Sequence, residues 1–255
     1  MKTGFLQNGV TAHRGDCEKF PENSLESIRA AIETGADWVE VDVRATRDGA
    51  LVLCHDETTG RTGDRDLRIS ETTLADLLAV NLGRHGVNIR MPTLVESLAL
   101  IRTQNRTRIS LQPKADIVSA IVRAIRELGV EDRAGFNDGD LAKLKQAKAL
   151  LPQAVIFRDC HTYAAGSDGD AALAHDISQT QAHGFEAIVL RKDTVTPKRA
   201  AMIRKAGLEP GAWTVNDESE MRMLFAAGVE RIYTDFPRTA LNAMMRKYSP
   251  ADPLS

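Results

Sequence analysis

Residues 36–56 read ADWVEVDVRATRDGALVLCHD, and this stretch decides the fold. It holds two apolar runs, Trp38–Val43 and Leu51–His55, separated by a few residues that contain Asp48 and Gly49. A parallel crossover between strands needs about a dozen residues, whereas Asp-Gly between apolar runs is a hairpin signal. We therefore expect the second run to fold back antiparallel on the first.

The hairpin also predicts which residues face each other. A turn centred near Asp48 would place position 42 opposite about 54 and position 40 opposite about 56. His55 would then lie beside Glu40 and Asp42. A histidine would join two acids at one end of the sheet.

Eight apolar runs of strand length remain when the hairpin run is set aside. They alternate with amphipathic stretches, as in parallel βα units. The 255 residues suit one eight-stranded β/α barrel, which typically takes about 250. We predict a single domain over residues 1–255, a (β/α)8 TIM barrel with a β-hairpin excursion after the second strand and little or no inserted domain. The eight runs are Gly9–His13, Trp38–Val43, Arg108–Gln112, Arg133–Phe136, Ala154–Phe157, Ala187–Leu190, Gly211–Val215 and Arg231–Tyr233.

The composition excludes several classes of protein. Hydrophobic residues make up 43% of the chain and charged residues 27%, which is ordinary for a globular protein and excludes disorder. Basic residues number 33 and acidic residues 35, so the formal net charge is -2. No global basic field exists to attract nucleic acid, and any affinity for phosphate must be local.

The cysteines and the apolar runs bear on location. Cys17, Cys54 and Cys160 are odd in number and lack CxxC spacing, which favours reduced thiols over disulfides or a zinc site. The first residues hold no apolar run that suits a signal peptide, and no window approaches the roughly 20 apolar residues of a membrane span. We expect a cytoplasmic protein without stable membrane insertion. Its oligomeric state stays open.

Helix boundaries are readable at several points. Asn23 can cap a helix that Gly35 ends. Thr93 and Glu96 have capping-box spacing before an apolar run. Asn216 can start another helix near the carboxyl terminus.

Glu40 and Asp42 are the first candidate functional residues. They are two apart on a strand, so both side chains project from one face. Two carboxylates inside a barrel would raise each other's pKa unless a cation lies between them. A hard divalent ion with oxygen ligands would relieve this repulsion. The alternative is a solvated strand edge with two exposed acids.

The other polar residues at strand ends suit phosphate chemistry. His13 and His55 titrate near neutrality and could act as general base and general acid. Arg14 can bind a phosphate with two donors, and Lys114 supplies a point charge. The alternative for Lys114 is a surface lysine. Trp213 either lines the site or packs in the core. Arg191 reaches either substrate or solvent. His85, His161, His175 and His183 are predicted as surface residues.

These motifs, in this order, resemble the glycerophosphodiester phosphodiesterase family. The resemblance begins over residues 12–63, where the chain has the His-Arg-Gly motif, Glu-x-Asp-Val and the His-Asp pair. It continues in Met91-Pro92-Thr93-Leu94, around Lys114, in Ala212-Trp213-Thr214-Val215-Asn216 and in Thr234-Asp235-Phe236-Pro237. Residues 130–205 match only as generic βα units.

The resemblance implies a function and a role for most of these residues. It implies a barrel that hydrolyses small glycerophosphodiesters to glycerol 3-phosphate and an alcohol in glycerol and lipid metabolism. It implies one divalent cation, Mg²⁺ or Ca²⁺ or else Mn²⁺. The roles that it implies are acid–base catalysis for His13 and His55, metal binding for Glu40 and Asp42, phosphate binding for Arg14 and Lys114, and shaping of the site for Glu22 and Asn23. We therefore count Glu22 and Trp213 with Arg14 and Lys114 as predicted substrate-binding residues.

Gln112 is a departure from the family pattern. Family members usually have Glu-x-Lys where this chain has Gln112-Pro113-Lys114, so the third metal ligand would be an uncharged amide oxygen. We expect weaker metal binding, a different metal preference, a shifted substrate or loss of activity. Two other readings stay open: a lysophospholipase D or sphingomyelinase D-like lipid phosphodiesterase, and a phosphoester-binding protein with reduced turnover.

Overall fold

The structure is a computed structural model that describes residues 6–83, 87–160 and 163–247. Strands and helices alternate along these residues as the hydrophobic pattern predicts. The strands are β1 (Val10–His13), β2 (Trp38–Ala45), β3 (Leu51–Leu53), β4 (Arg108–Pro113), β5 (Ala134–Asp138), β6 (Val155–Cys160), β7 (Ala187–Arg191), β8 (Glu209–Trp213) and β9 (Arg231–Thr234). The helices are α1 (Leu25–Thr34), α2 (Leu74–Leu78), α3 (Leu94–Arg102), α4 (Val118–Leu128), α5 (Leu141–Leu150), α6 (Ser167–Ala182), α7 (Pro197–Lys205), α8 (Glu218–Ala226) and α9 (Pro237–Lys247).

Eight of the strands form a closed parallel barrel. Each pairs with its neighbours in the order β1, β2, β4, β5, β6, β7, β8 and β9, and β9 pairs again with β1. A helix follows each barrel strand, with β3 and α2 intervening after β2. The predicted (β/α)8 TIM barrel is confirmed. None of the helices within the described ranges has the length and apolarity needed to cross a membrane.

The hairpin after the second strand is also confirmed. β3 pairs antiparallel with β2, and Val43 faces Leu53. The Cys54 N–H donates to the Asp42 carbonyl at 3.0 Å, so position 42 does face position 54. Gly49 supplies the turn with a φ of 81°, a conformation that costs a residue without a side chain little.

A small excursion separates β3 from α3. It contains α2 and packs its own apolar cluster, in which Val52, Ile69, Leu77, Val80 and Met91 are buried. It joins the barrel through β3 and through a bridge between Val52 and Thr93. The barrel thus carries a local extension beside one strand end.

Two predicted helix caps lie one residue away from the true cap. α1 is capped by Ser24, whose side chain accepts from the Ser27 N–H, and Asn23 precedes it with a φ of 56°. α8 is capped by Asp217, and Asn216 lies outside the helix. The assignments of Asn23 and Asn216 as caps were therefore wrong, because both amides bind carboxylates of the site instead.

The other helix-end predictions were correct. Gly35 ends α1 in the left-handed region with a φ of 83°. Thr93 and Glu96 form the expected capping box at the start of α3. These ends are fixed by local sequence alone, which is why pattern reasoning found them.

Large side chains fill the interior of the barrel below the carboxyl ends of its strands. The rings of Trp38 and Phe157 meet edge to face with their centroids 5.1 Å apart, and Tyr233 packs on Phe157. Below them Arg231 is fully buried and forms an ion pair with Glu209. This packing closes the interior and leaves room for a ligand at the carboxyl ends of the strands.

Candidate active site

A cavity of about 320 Å³ opens at the carboxyl ends of the barrel strands. Barrel enzymes carry out their chemistry at this end. Most of the predicted site residues line the cavity, namely His13, Arg14, Glu40, His55, Gln112, Lys114 and Trp213. Asp42 and Glu22 lie behind this wall, and each forms an ion pair with Arg14.

Glu40 and Asp42 lie on the same face of β2, with exposed fractions of 2% and 1%. Asp42 pairs with Lys114 Nζ at 2.9 Å and with Arg14 Nε at 3.1 Å. Glu40 Oε2 accepts the Arg14 backbone N–H at 3.2 Å. Because both carboxylates are buried, the alternative of two exposed acids is wrong.

The two acids differ in their readiness to ionise. Burial raises the pKa of Glu40 to about 7, and repulsion from Asp42 adds to this effect. Burial would also raise the pKa of Asp42, but Lys114 and Arg14 hold that pKa below its usual range. Asp42 therefore ionises more readily than Glu40, and no lysine or arginine among the described residues forms an ion pair with the Glu40 carboxylate.

Asn23 binds Asp42 with both ends of its amide. Its Nδ2 donates to Asp42 Oδ2 at 2.9 Å, and its Oδ1 accepts the Asp42 backbone N–H at 3.0 Å. Arg14 and Asn23 both have positive φ, at 59° and 56°, although neither is glycine. Residues other than glycine hold a positive φ only when the surrounding structure imposes it. Such strained residues are common at functional sites.

Gln112 lies on β4, and Lys114 follows directly after that strand. The sheet register sets Gln112 directly beside Asp42. Lys114 Nζ donates to Gln112 Oε1, and Gln112 Nε2 donates to Asp159 Oδ2 at 3.2 Å. Lys114 is thus tied to the acid pair, and its alternative as a free surface lysine is wrong.

His13 ends β1 beside Glu40 in the sheet register. Its Nδ1 lies 2.8 Å from Asp235 Oδ1, and Asn216 Nδ2 donates to Asp235 Oδ2 at 2.6 Å. Burial would lower the pKa of His13, but the hydrogen bond to Asp235 and the charge of Glu40 raise it, and the net shift is upward. His13 therefore tends to be protonated.

His55 follows β3 on the opposite segment of the site. Its Nδ1 lies 2.6 Å from Asp56 Oδ1, and Arg44 Nη2 donates to its carbonyl at 2.7 Å. Burial lowers the pKa of His55 by more than the hydrogen bond to Asp56 raises it. His55 therefore tends to be neutral, in contrast to His13.

Glu22 joins two arginines. Its Oε1 accepts Arg14 Nη1 at 3.0 Å, and its Oε2 accepts Arg61 Nη1 at 2.7 Å. Arg61 Nε in turn donates to Asp56 Oδ2 at 2.5 Å. Glu22 was predicted to bind substrate, and the structure places it where it orients Arg14 from behind the cavity wall.

The structure adds several cavity residues that the sequence pattern missed. Asn137, Asp159 and Tyr233 line the cavity from β5, β6 and β9. Burial raises the pKa of Asp159 to about 7. The predicted strand ended at Phe157, so Asp159 fell outside it. Extending the two-residue period of that strand would have placed Asp159 on its inner face.

The remaining candidates do not form the site. Arg191 is exposed and forms an ion pair with a neighbouring aspartate, so it extends into solvent. His175 is exposed as predicted, and His183 is half-buried. His85 and His161 lie outside the described residues.

Three side chains of the site carry oxygen atoms that suit a divalent cation. Glu40, Asp42 and Gln112 offer hard oxygen atoms from two neighbouring strands, which is the chemistry that such ions prefer. Within the part of the chain that the structure describes, buried Glu40 forms no ion pair with lysine or arginine, whereas Asp42 pairs with both Arg14 and Lys114. No three His, Cys, Asp or Glu side chains within the described ranges are grouped to hold a metal by themselves. The residues fit a cation that keeps some of its water.

Comparison with protein families gives one match that spans most of the chain. Residues 13–239 match the glycerophosphoryl diester phosphodiesterase family. A protein of Caldanaerobacter subterraneus subsp. tengcongensis called glycerophosphodiester phosphodiesterase is 29% identical over 248 residues, which cover 93% of this chain and 98% of that protein.

Solved structures give the same picture. A putative glycerophosphoryl diester phosphodiesterase of Silicibacter pomeroyi superposes with a TM-score of 0.83 at 22% identity, covering 95% of this chain and 94% of its own. That likeness supports the fold. A phosphodiesterase of Oleispira antarctica, solved in complex with the product sn-glycerol-3-phosphate, is 26% identical with a TM-score of 0.77, covering 94% of this chain and 98% of its own.

Proposed function

The chain belongs to the glycerophosphoryl diester phosphodiesterase family, and on that premise we propose that it hydrolyses glycerophosphodiesters to glycerol 3-phosphate and an alcohol. The observation that carries this proposal is a pair of histidines with opposite protonation tendencies on one cavity. Both His13 and His55 line the cavity that Arg14 and Lys114 also line. The product bound to the Oleispira antarctica phosphodiesterase supports the same product here.

The phosphodiester binds where the two cations meet the cavity. Arg14 and Lys114 are held by Asp42, so their positions are fixed before substrate arrives. Donors that are already oriented stabilise charge on the phosphoryl oxygens without reorganisation. Glu22 keeps the Arg14 guanidinium in this orientation from behind.

Proton transfer divides between the two histidines. Each binds a carboxylate through Nδ1, so Nε2 is the ring nitrogen that exchanges a proton with the reactants. Neutral His55 removes the proton from the nucleophile, and protonated His13 donates one to the leaving alcohol oxygen. The nucleophile attacks phosphorus as the bond from phosphorus to that oxygen breaks. With water as the nucleophile, glycerol 3-phosphate forms in one step. With the neighbouring glycerol hydroxyl as the nucleophile, a cyclic phosphate forms first, and water then opens it to glycerol 3-phosphate.

Enzymes of this family generally use a divalent cation. We propose that Glu40, Asp42 and Gln112 would hold it here, as Mg²⁺, Ca²⁺ or Mn²⁺. Such an ion supplies positive charge to the phosphoryl oxygens. The residues of this chain then have to orient the substrate and move the protons. The cytoplasmic location, the role in glycerol and lipid metabolism and the single domain stay predictions.

The decisive test is release of glycerol 3-phosphate from glycerophosphocholine. We expect product with Mg²⁺, Mn²⁺ or Ca²⁺, and a loss of about 10²–10⁴ in turnover for His13→Ala and for His55→Ala. His175→Ala is the matched control, because this histidine is exposed and distant in sequence from the site. Wild-type rates in either site variant would refute the acid–base assignment.

One observation favours a lysophospholipid as a second candidate substrate. A second cavity of about 570 Å³ adjoins Glu22 and Arg61 and has Phe20, Leu82 and Ile89 in its wall. Apolar walls suit an acyl chain. Lysophosphatidylcholine assayed beside glycerophosphocholine separates the two candidates. Substrate binding without product from either would support the phosphoester-binding protein instead.

A further inference from the structure

The floor of the main cavity holds a carboxylate that the proposed reaction leaves without a role. Asp159 is 8% exposed, and its Oδ2 accepts Gln112 Nε2 at 3.2 Å and Asn137 Nδ2 at 3.3 Å. Both partners are neutral amides. Within the described ranges no lysine or arginine forms an ion pair with it, although buried charges are normally paired.

Two further groups face the same space. Glu40 lines the cavity and interacts electrostatically with Asp159. Tyr233 also lines the cavity, and its buried hydroxyl finds no hydrogen-bond partner among the described residues. Two buried carboxylates and an unpartnered phenol around one cavity are the surroundings of a hydrated cation, which satisfies both charge and hydrogen bonding.

The oxygen and the nitrogen of the Gln112 side-chain amide face different groups. The amide oxygen accepts Lys114 Nζ, and the amide nitrogen faces Asp159. A carboxylate beside the nitrogen favours this orientation, since only the NH₂ end can donate to it. The side chain at position 112 therefore brings no charge to the cavity, while the carboxylate behind it does.

We propose that Asp159 supplies the third negative charge of the cation site formed with Glu40 and Asp42, and that Gln112 positions it. With Asp159 the carboxylates of this proposed cation site, Glu40, Asp42 and Asp159, carry a formal charge of -3, and without it -2. Asp159 binds the ion or one of the water molecules that the ion keeps. This inference rests on the divalent cation of the proposed function and identifies the residue that offsets the amide at position 112.

The test measures binding of Mn²⁺ to the full chain without substrate, by titration calorimetry and by electron paramagnetic resonance of free Mn²⁺. Asp159→Asn keeps the shape and is expected to weaken Mn²⁺ binding by about 10–100-fold. Asp138→Asn is the matched control. Asp138 lines the same cavity but pairs with Lys143 at 3.2 Å, so its loss should leave the affinity within a factor of about two.

A charge swap supplies the second arm. Adding Gln112→Glu to Asp159→Asn returns a carboxylate to the site from β4, the strand that pairs with β2 and places position 112 beside Asp42. We expect the double variant to recover most of the lost Mn²⁺ affinity. Wild-type affinity in Asp159→Asn would overturn the proposal, as would a double variant as weak as the single one.

Diffraction from wild-type crystals soaked in Mn²⁺ gives a readout that does not depend on how a variant folds. The anomalous peak should contact the Asp159 carboxylate directly or through one water, and a peak remote from it would refute the assignment. Binding and turnover also fail separately. If the protein releases glycerol 3-phosphate but its Mn²⁺ affinity does not depend on Asp159, this inference alone is refuted. If Mn²⁺ binding needs Asp159 but the protein releases no glycerol 3-phosphate, the proposed function alone is refuted.

Discussion

Replacing Asn23, which lies in the loop between β1 and α1, should destabilise the protein more than a substitution in a loop usually does. The side chain is 2% exposed and makes two hydrogen bonds to Asp42, one with the carboxylate and one with the backbone N–H. Asn23→Ala removes both, and it leaves a buried N–H and part of a buried carboxylate without a partner. Asn23→Gly removes the same bonds but tolerates the φ of 56°.

The magnitude follows from these contacts. A hydrogen bond to a charged group contributes about 1.5–3 kcal/mol and a neutral one about 0.5–1.5 kcal/mol. Asn23→Ala should therefore lower the free energy of unfolding by about 2–4 kcal/mol. Holding a non-glycine residue at positive φ costs about 1 kcal/mol or more, so Asn23→Gly should be less destabilising than Asn23→Ala by about that amount.

Urea unfolding at neutral pH, followed by circular dichroism, measures both variants. For a chain of this size about 1 kcal/mol corresponds to a change of about 2–4 °C in Tm, so thermal unfolding gives an independent value. Asn105→Ala is the control, since Asn105 is exposed and should stay within about 0.5 kcal/mol of wild type. An Asn23→Ala variant as stable as this control would refute the reasoning, as would a glycine variant less stable than the alanine one.

Three substitutions test the electrostatics. Asp235→Asn removes a contact that raises the pKa of His13, so the alkaline limb of kcat/KM against pH should move to lower pH, because protonated His13 donates the proton. Asp56→Asn removes a contact that raises the pKa of His55, which must be neutral, so the acidic limb should also move to lower pH. Limbs that stay in place, or move to higher pH, would contradict these roles. Arg231→Met removes the ion-pair partner of the buried Glu209 carboxylate, so the free energy of unfolding in urea should fall by about 3–5 kcal/mol. We expect kcat to stay unchanged at urea concentrations below the unfolding transition. A urea midpoint equal to that of the wild type would contradict this prediction.

The barrel and its hairpin were predictable because they depend on local pattern. Apolar runs separated by helices define the parallel strands, and Asp48-Gly49 defines the turn. The register of that turn, with position 42 facing 54, was correct because a short loop leaves little freedom. The positions of His13 and His55 on one cavity followed from this register.

Contacts between distant strands were not predictable in the same way. Asn23 and Asn216 have the composition of helix caps, yet each amide binds a carboxylate that lies far along the chain. The hydrogen-bond partners of Asp159 lie far from it in sequence, and only the assembled sheet brings it to Gln112. Local sequence propensity cannot predict such pairs of residues, because the energy of their hydrogen bonds depends on burial that only the complete barrel creates.

The ion pairs behind the cavity wall have a consequence for how the two proton-transfer groups are kept apart. Arg14, Glu22, Arg61 and Asp56 follow one another in contact and end at the ring of His55. The first belongs to the barrel and the last to the excursion. The sheet register sets the positions of acid and base. The row of charged side chains adds a second link, because it ties the segment that carries His55 to the residue that follows β1.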